Sequence, residues 1–535
     1  MPDVNTALLT PDLSSIFTHF APELILVIGA LALLGYDLVV RGRDARQPWI
    51  ALGVLLAAIA ATGWLYGSEP TAIFSGRAAA EGGGFEIFRP GAFVSDGFTH
   101  FFRLLSMLTA ALVSLSGITY MRGRTAFKGE FYAFVLFAAL AMNLMAGAND
   151  LIMIALSIEF LSLVSYVLTG YLREDDLSIE GGLKYFLYGS ITSAAMLMGL
   201  SYLYGIAGST SLPHLATVVA QPQSELVSGL TTLIVPAGLL LVMAGIGFKV
   251  ALVPFHQWSP DAYQGAPTPV TAFLSVGPKA AGFAVMLRIL ATVFGTPAVT
   301  GTWLGTIAVL AGLTMIIGNV AALTQNDVKR LMAYSSIAQA GYMLVGVAAF
   351  GQATMAGTTP LGSVLFFILA YLFTNLGAFA VIIAVNEATG SSSMGAFANL
   401  ARRAPFLAVA LTVFFLSLIG IPPLSGFFGK FVVFGAAVSS GHTSLAVLGV
   451  LTGVISAMYY FRIVKIMFFG GAAESAEESE NATGATFRPS PTVSFVVAAC
   501  LTMTLIIGLL PQPFIDIANQ AVEALQPLAD AMASR

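Results

Sequence analysis

Fourteen runs of mostly apolar residues follow one another along the chain, and this recurrence constrains the fold more than any other feature. They lie near 22–40, 48–67, 98–120, 130–147, 150–171, 184–207, 228–252, 269–294, 302–323, 330–351, 362–386, 405–440, 444–469 and 491–511. About 20 such residues carry a helix across the hydrocarbon of a bilayer. In lipid every backbone polar group must be satisfied internally, which leaves helices or closed barrels. Barrel strands alternate apolar and polar residues in segments of about ten, and these runs do neither. Only 9% of the residues are charged and 57% are hydrophobic, whereas a soluble domain carries about 25% charged residues. The expected class is therefore an all-α polytopic membrane protein with about 14 transmembrane helices.

Lysines and arginines in the connections set the orientation. Arg41/Arg43/Arg46, Arg122/Arg124/Lys128, Arg173, Lys329/Arg330, Arg402/Arg403 and Arg462/Lys465/Arg488 all fall in alternate connections. The opposite connections and the termini carry only Arg77, Arg89 and Arg535. That bias predicts a cytoplasmic side for the first set and periplasmic termini. No cleaved signal is expected, because no charged stretch precedes the first apolar run. Residues 68–92 are Gly-rich and polar, and 470–490 are acidic and read as a disordered cytoplasmic loop. The tail after Pro511 has apolar residues at helical spacing and is expected to lie along the membrane face. A net charge of −4 without a basic tract gives no sign of nucleic acid binding. One cysteine, Cys500, excludes a disulfide framework or a Cys-ligated cluster, and the five histidines form no metal-ligand pair.

The charges inside the runs carry the chemistry. A charge at the bilayer centre costs at least about 2.5–3.5 kcal/mol on insertion scales, so such residues usually mark a pathway. Glu159, Lys249, Lys279 and Lys430 lie deep in their runs, and Lys184 opens the sixth run. Glu23, Asp37 and Arg103 lie near run ends and are expected to snorkel to the headgroups. Arg288 is expected to do the same or to close a packing ion pair. Trp258 and Tyr263 are expected to pack as buried aromatics. Burial favours the neutral form of a lysine, and a nearby carboxylate favours the charged form. A Glu159–lysine contact that forms and breaks would therefore move the lysine between holding and releasing a proton.

Two of these lysines stand beside helix breaks. Pro254 to Pro269 interrupts the stretch after Lys249, and Ile421-Pro422-Pro423-Leu424-Ser425-Gly426 interrupts 405–440 before Lys430. Proline removes a helical hydrogen bond and clashes with the preceding turn, and broken helices line the cavities of transporters. Gly247-Phe248-Lys249 is echoed by Phe428-Gly429-Lys430 five helices later. Five is odd, so two equivalent units would have opposite membrane orientation.

At these residues the sequence resembles a known family. FKVALVPFHQWSPDAYQGAPTPVTAFLSVGPKAAGFAVMLR and NDVKRLMAYSSIAQAGYML are similar to the antiporter-like membrane subunits shared by NADH–quinone oxidoreductase (respiratory complex I) and Mrp-type cation/proton antiporters. The form FHQWSPDAYQGAP is most similar to the subunit N branch, the L and M branches reading more like HxWLPxAHxxAP. The resemblance implies two inverted five-helix repeats, helices 4–8 and 9–13, with helices 7 and 12 broken. It implies an N-terminal three-helix region over 1–129, repeats over 130–294 and 295–469, the loop 470–490, and a last helix with its tail over 491–535. It implies a proton relay: Glu159 paired with Lys249, Lys279 as the central lysine, Lys430 on the exit side and Lys184 as a secondary lysine. The second repeat departs from the pattern, because it has no carboxylate matching Glu159 and offers only Ser335, Ser336 and Gln339. The resemblance implies no cofactor on this chain, with NADH, FMN, iron–sulfur clusters and quinone on partner subunits. The implied partners are subunit M, the small subunits K and J, the lateral helix of subunit L, and lipid. The implied location is a bacterial inner membrane. The alternative is a stand-alone or Mrp-type cation/proton antiporter, which a bound Na⁺ site would favour; no intramembrane carboxylate cluster is present to build one.

Overall fold

The computed structural model describes residues 13–525 apart from 41–44, 67–70, 74–90, 126, 221–224, 296, 352–356 and 471–486. Most of the Gly-rich loop, most of the acidic loop, the last ten residues of the tail, and Arg41, Arg43, Arg77, Arg89 and Arg535 lie outside the described residues.

The described helices are α1 (Leu13–His19), α2 (Ala21–Val40), α3 (Gln47–Leu65), α4 (Gly97–Tyr120), α5 (Lys128–Gly147), α6 (Leu151–Thr169), α7 (Asp176–Ala207), α8 (Leu212–Ala220), α9 (Glu225–Val250) and α10 (Ser259–Gly265). They continue as α11 (Thr268–Thr292), α12 (Pro297–Ala322), α13 (Val328–Ala348), α14 (Pro360–Thr389), α15 (Leu400–Arg403), α16 (Pro405–Ile419), α17 (Ser425–Ser439), α18 (Thr443–Phe469), α19 (Pro491–Leu509) and α20 (Pro511–Glu523). Thirteen of them are long and apolar enough to cross a membrane. The pair α16–α17 is the run 405–440, broken in its middle as the prolines predict. Two short strands, β1 (Thr71–Ile73) and β2 (Phe93–Ser95), form an antiparallel ladder.

Side-chain caps fix several helix starts. The carboxylates of Asp96, Asp150, Asp175 and Asp327 accept from backbone amides in the first turns of α4, α6, α7 and α13, satisfying donors that have no partner within the helix. Small residues set how closely helices approach: a Cβ on Gly199 of α7 would lie 2.6 Å from the Gly238 carbonyl of α9, and one on Gly318 of α12 2.6 Å from the Ala338 amide of α13. Every residue of α11 is buried, and α13 and α14 are nearly so. These three form the centre, while α2, α3, α7, α12 and α18 turn Leu38, Trp64, Ile191, Val309 and Val454 outward, as lipid-facing helices do.

Glu23, Asp37 and Arg103 depart from expectation. They do not snorkel. Glu23 and Arg103 have no exposed side-chain surface and form a bidentate pair at 2.7 Å between α2 and α4. Asp37 is buried against the Gln47 amide. A run-end position gives depth along one helix, but the partner sits on another, and burying both charges together removes the need to reach water. Arg288 takes the ion-pair reading: it grips Asp96 with two nitrogens at 3.0 and 3.1 Å and donates to the Ala146 carbonyl at 3.0 Å. In the tail, α20 docks Ile515, Ala518, Ala521 and Val522 against the protein, and Asn519 bonds the Thr359 amide and the Gly357 carbonyl beside α14.

A candidate proton-relay site at two broken helices

Both breaks are built alike. At the end of α9 the Ala251 amide bonds the Phe248 carbonyl and the Leu252 amide bonds the Gly247 carbonyl. At the end of α16 the Gly420 amide bonds the Ser417 carbonyl and the Ile421 amide bonds the Leu416 carbonyl. Each is a Schellman stop, which calls for a left-handed residue just past the helix: Gly420 supplies it at φ 98°, and Ala251 at φ 62°. The equivalence extends further. Asp150 and Asp327 cap α6 and α13, and each takes a hydroxyl from the segment after the following helix, Thr210 and Ser392. The isolated bridges Asp150–Ser211 and Asp327–Ser393 repeat the pattern.

The three deep lysines are buried and held by neutral oxygens. Lys249 of α9 donates to the Ser162 hydroxyl of α6 at 3.0 Å and faces the Tyr185 ring with its nitrogen 5.9 Å from the centroid. Lys279 of α11 donates to the Ser336 hydroxyl of α13 at 2.9 Å. Lys430 of α17 donates to the Leu418 and Ile419 carbonyls of α16 at 2.8 and 2.9 Å and lies 4.3 Å from the Tyr342 ring centroid.

Helix α13 joins the last two. One turn from Ser336, Gln339 donates to the Leu418 carbonyl at 3.0 Å, the oxygen that Lys430 also uses. Ser336 further contacts the Tyr263 hydroxyl at 3.3 Å. Ser336 and Gln339 thus bring Lys279 and Lys430 to one helix, while Ser162 ties Lys249 to α6. Ser336 and Gln339 were visible in the sequence only as what stands where an acid is missing, and Ser162 was not singled out at all.

Glu159 and Lys184 sit differently. Glu159 is half-buried on α6, one turn from Ser162; it forms no ion pair with Lys249 within 4.0 Å, and its Oε1 has no partner among the described residues. Lys184 is 40% exposed and pairs with Glu180 at 2.6 Å and with Asp261 at 2.7 Å. Asp261 also takes an N–H from Arg330. Burial would raise the pKa of this carboxyl, but the hydrogen bonds and charges of Lys184 and Arg330 outweigh it and hold it below its ordinary value. Trp258 stacks on Tyr185 at 3.9 Å and donates to the Phe248 carbonyl, which is the packing role expected of it.

Residues 148–456 match a family described as NADH:quinone oxidoreductase/Mrp antiporter, transmembrane. The chain is 41% identical over 516 residues to NADH-quinone oxidoreductase subunit N 2 of Symbiobacterium thermophilum, covering 95% of this chain and 97% of that one. It belongs to the antiporter-like membrane subunits of NADH:quinone oxidoreductase, in their subunit N branch. A subunit N of Trichlorobacter lovleyi is 38% identical over 527 residues, 98% of this chain and all of that one. Among solved structures, a chain of respiratory complex I from Thermus thermophilus with bound aureothin superposes with a TM-score of 0.73 at 31% identity, over 93% of this chain and 99% of that one.

Proposed function

We propose that this chain moves protons through the membrane arm of a bacterial NADH–quinone oxidoreductase along the line Glu159/Lys249–Lys279–Lys430, with Lys184 as a secondary member. NADH oxidation, FMN, the iron–sulfur clusters and quinone reduction belong to partner subunits in this reading, and the chain adds the proton-translocating step. Its repeats are 130–294 and 295–469, behind the region 1–129 and ahead of 470–490 and 491–535. Its neighbours are subunits M, K and J and the lateral helix of subunit L, and both termini are periplasmic in an inner membrane.

The observation that carries the reading is the neutral coordination of the lysines. A buried ammonium held by hydroxyls and carbonyls has no fixed counter-charge, so small movements of a carboxylate decide whether it keeps its proton. Glu159 lies one turn from the serine that holds Lys249 and is not locked to it, which is the arrangement a gate needs. The Glu159 Oε1 and the buried Asn375 Oδ1 find no partner among the described residues, and such atoms in a polar site are normally satisfied by ordered water. Moving a charge against 100 mV takes about 2.3 kcal/mol, within the range of making or breaking one buried pair.

The test uses membranes containing the assembled complex with Lys249→Met or Glu159→Gln. The expected result is at least about a tenfold loss of NADH-driven proton uptake, corresponding to about 1.4 kcal/mol on the transfer step, with NADH oxidation by an artificial acceptor retained. Assembled complexes that pump at the normal rate would sink the relay.

A further inference from the structure

Helix α10 is held to its two main neighbours, α7 and α13, by different kinds of contact. Against α7 the contact is close backbone packing plus the Lys184–Asp261 ion pair: a Cβ on Gly265 would lie 2.0 Å from the Leu177 carbonyl, and one on Gly181 3.0 Å from the Asp261 carbonyl. Against α13 the contact is polar. Arg330 donates to Asp261 and, at 3.0 Å, to the Gln264 amide oxygen. Lys329, buried, donates to the Gln264 and Ala266 carbonyls at 2.7 and 2.6 Å, where a cation favours a helix C-terminus. Helix α10 therefore rides on α7 and is tied to α13 by charge-assisted hydrogen bonds.

The tie lies next to the central lysine. Tyr263, two residues after Asp261, donates to the Leu274 carbonyl at 3.2 Å, so its oxygen is left to accept. Ser336 has one proton and two acceptors for it, the Ala333 carbonyl at 2.8 Å and the Tyr263 hydroxyl at 3.3 Å, while its own oxygen accepts from Lys279. The gap between α10 and α13 thus selects the acceptor that Ser336 uses and the direction of the lone pair it offers to Lys279.

We propose that Asp261 is a positioning residue: by bridging Lys184 of α7 and Arg330 of α13 it latches the first half of the molecule to the second and sets the Ser336–Tyr263 pair on which Lys279 rests. The latch itself stands on geometry, and its effect on pumping rests on the relay reading above. Loss of Asp261 leaves Lys184 with Glu180, and Arg330 with Gln264 and with the Gln325 oxygen at 3.3 Å, so the variant strands no cation.

The experiment compares Asp261→Asn, Asp261→Glu, Arg330→Gln and the double variant D261N/R330Q in purified complex, with Lys279→Met as a control. Hydrogen–deuterium exchange over 259–267 is expected to rise about tenfold or more in D261N, with 176–190 unchanged, since a locally released element opens without its neighbour. Protons pumped per NADH oxidised should fall by about half or more, recover in D261E, and be no lower in the double variant than in either single one, as for two residues of one interaction. R330Q, which keeps the Asp261–Lys184 pair, gives the same reading if D261N fails to assemble. Unchanged exchange over 259–267 overturns the latch, whatever happens to pumping. Raised exchange with an unchanged pumping ratio, while K279M abolishes pumping, overturns the positioning role. Normal pumping in K279M overturns the relay and leaves the exchange result to judge the latch alone.

Discussion

Replacing Lys430 by methionine removes the donor to the Ile419 carbonyl and one of two donors to the Leu418 carbonyl. The matching change at Lys249 removes a donor only from Ser162, whose hydroxyl still donates to the Ile158 carbonyl at 2.7 Å. The difference comes from the breaks: the Phe248 carbonyl at the end of α9 is served by the Trp258 indole, whereas the end of α16 is served by Lys430 itself. Both substitutions relieve the burial of an ammonium by a similar amount, so that contribution largely cancels when the two variants are compared. What remains is the Ile419 carbonyl left without its donor in a part-buried site, at most about 1–3 kcal/mol. K430M should therefore lose assembly on heating roughly five- to a hundredfold faster than K249M, taking the cost as falling on the unfolding barrier. The assay is the half-life of the purified complex at one fixed temperature, read as NADH:quinone activity for the wild type and as retained assembly for the variants. Lys430→Gln separates the two roles of the side chain, because an amide N–H can serve the carbonyl without carrying a proton. It should recover most of the heat stability and none of the pumping. Equal half-lives for K430M and K249M would refute the capping role.

Three further outcomes follow from the same contacts. Ala251→Gly should stabilise the complex by about 1 kcal/mol, because Ala251 sits in the left-handed region at φ 62°, where a Cβ is penalised; thermal unfolding of the purified complex checks it. Arg288→Met should cost about 3–5 kcal/mol by leaving Asp96 buried without its partner, and adding Asp96→Asn should restore most of it, as read by yield of assembled complex. The folded pKa of Asp261 is lowered from 3.8, so its stabilisation is fully present above that value and is lost as pH falls through the folded one. The heat-stability difference between wild type and D261N should hold constant from about pH 5 to 8 and shrink only below about 4.

The sequence made the spans legible because apolar length is a local property, and it made both breaks legible because Pro254 and Pro422-Pro423 act on their own helices. What it hid were pairings across the bundle. Glu23 finds Arg103 from 80 residues away and Arg288 finds Asp96 from 192, and run-end position says nothing about such partners. Lys329 looked like a surface cation in a basic connection; one turn of α13 carries it under α10. Asp261 lies inside the signature FHQWSPDAYQGAP, but its two cationic partners lie on helices that only tertiary packing brings together. One signal was present and went unread: Asn149-Asp150 and Asn326-Asp327 are the same pair, 177 residues apart, at the starts of equivalent helices.

That interval also places Ser336 at the station of Glu159 and Gln339 at that of Ser162. The two halves therefore meet their lysines with unequal chemistry: an acid stands near the first, and a hydroxyl receives Lys279. If Lys279 must release its proton in each cycle, a neutral acceptor is required there, since an acid in direct contact in the same buried place would fix the lysine in an ion pair that takes about 3–5 kcal/mol to break, on top of the roughly 2.3 kcal/mol per charge spent against 100 mV; Glu159 stands beyond ion-pair distance of Lys249 and carries no such cost. Ser336→Asp should accordingly assemble, because it gives a buried ammonium a counter-charge, and should stop pumping because the lysine stays charged. Ser336→Thr keeps the hydroxyl and should pump. The measurement is NADH-driven acidification in vesicles containing equal amounts of each complex. A Ser336→Asp complex that pumps like the wild type would mean that Lys279 does not cycle through its neutral form.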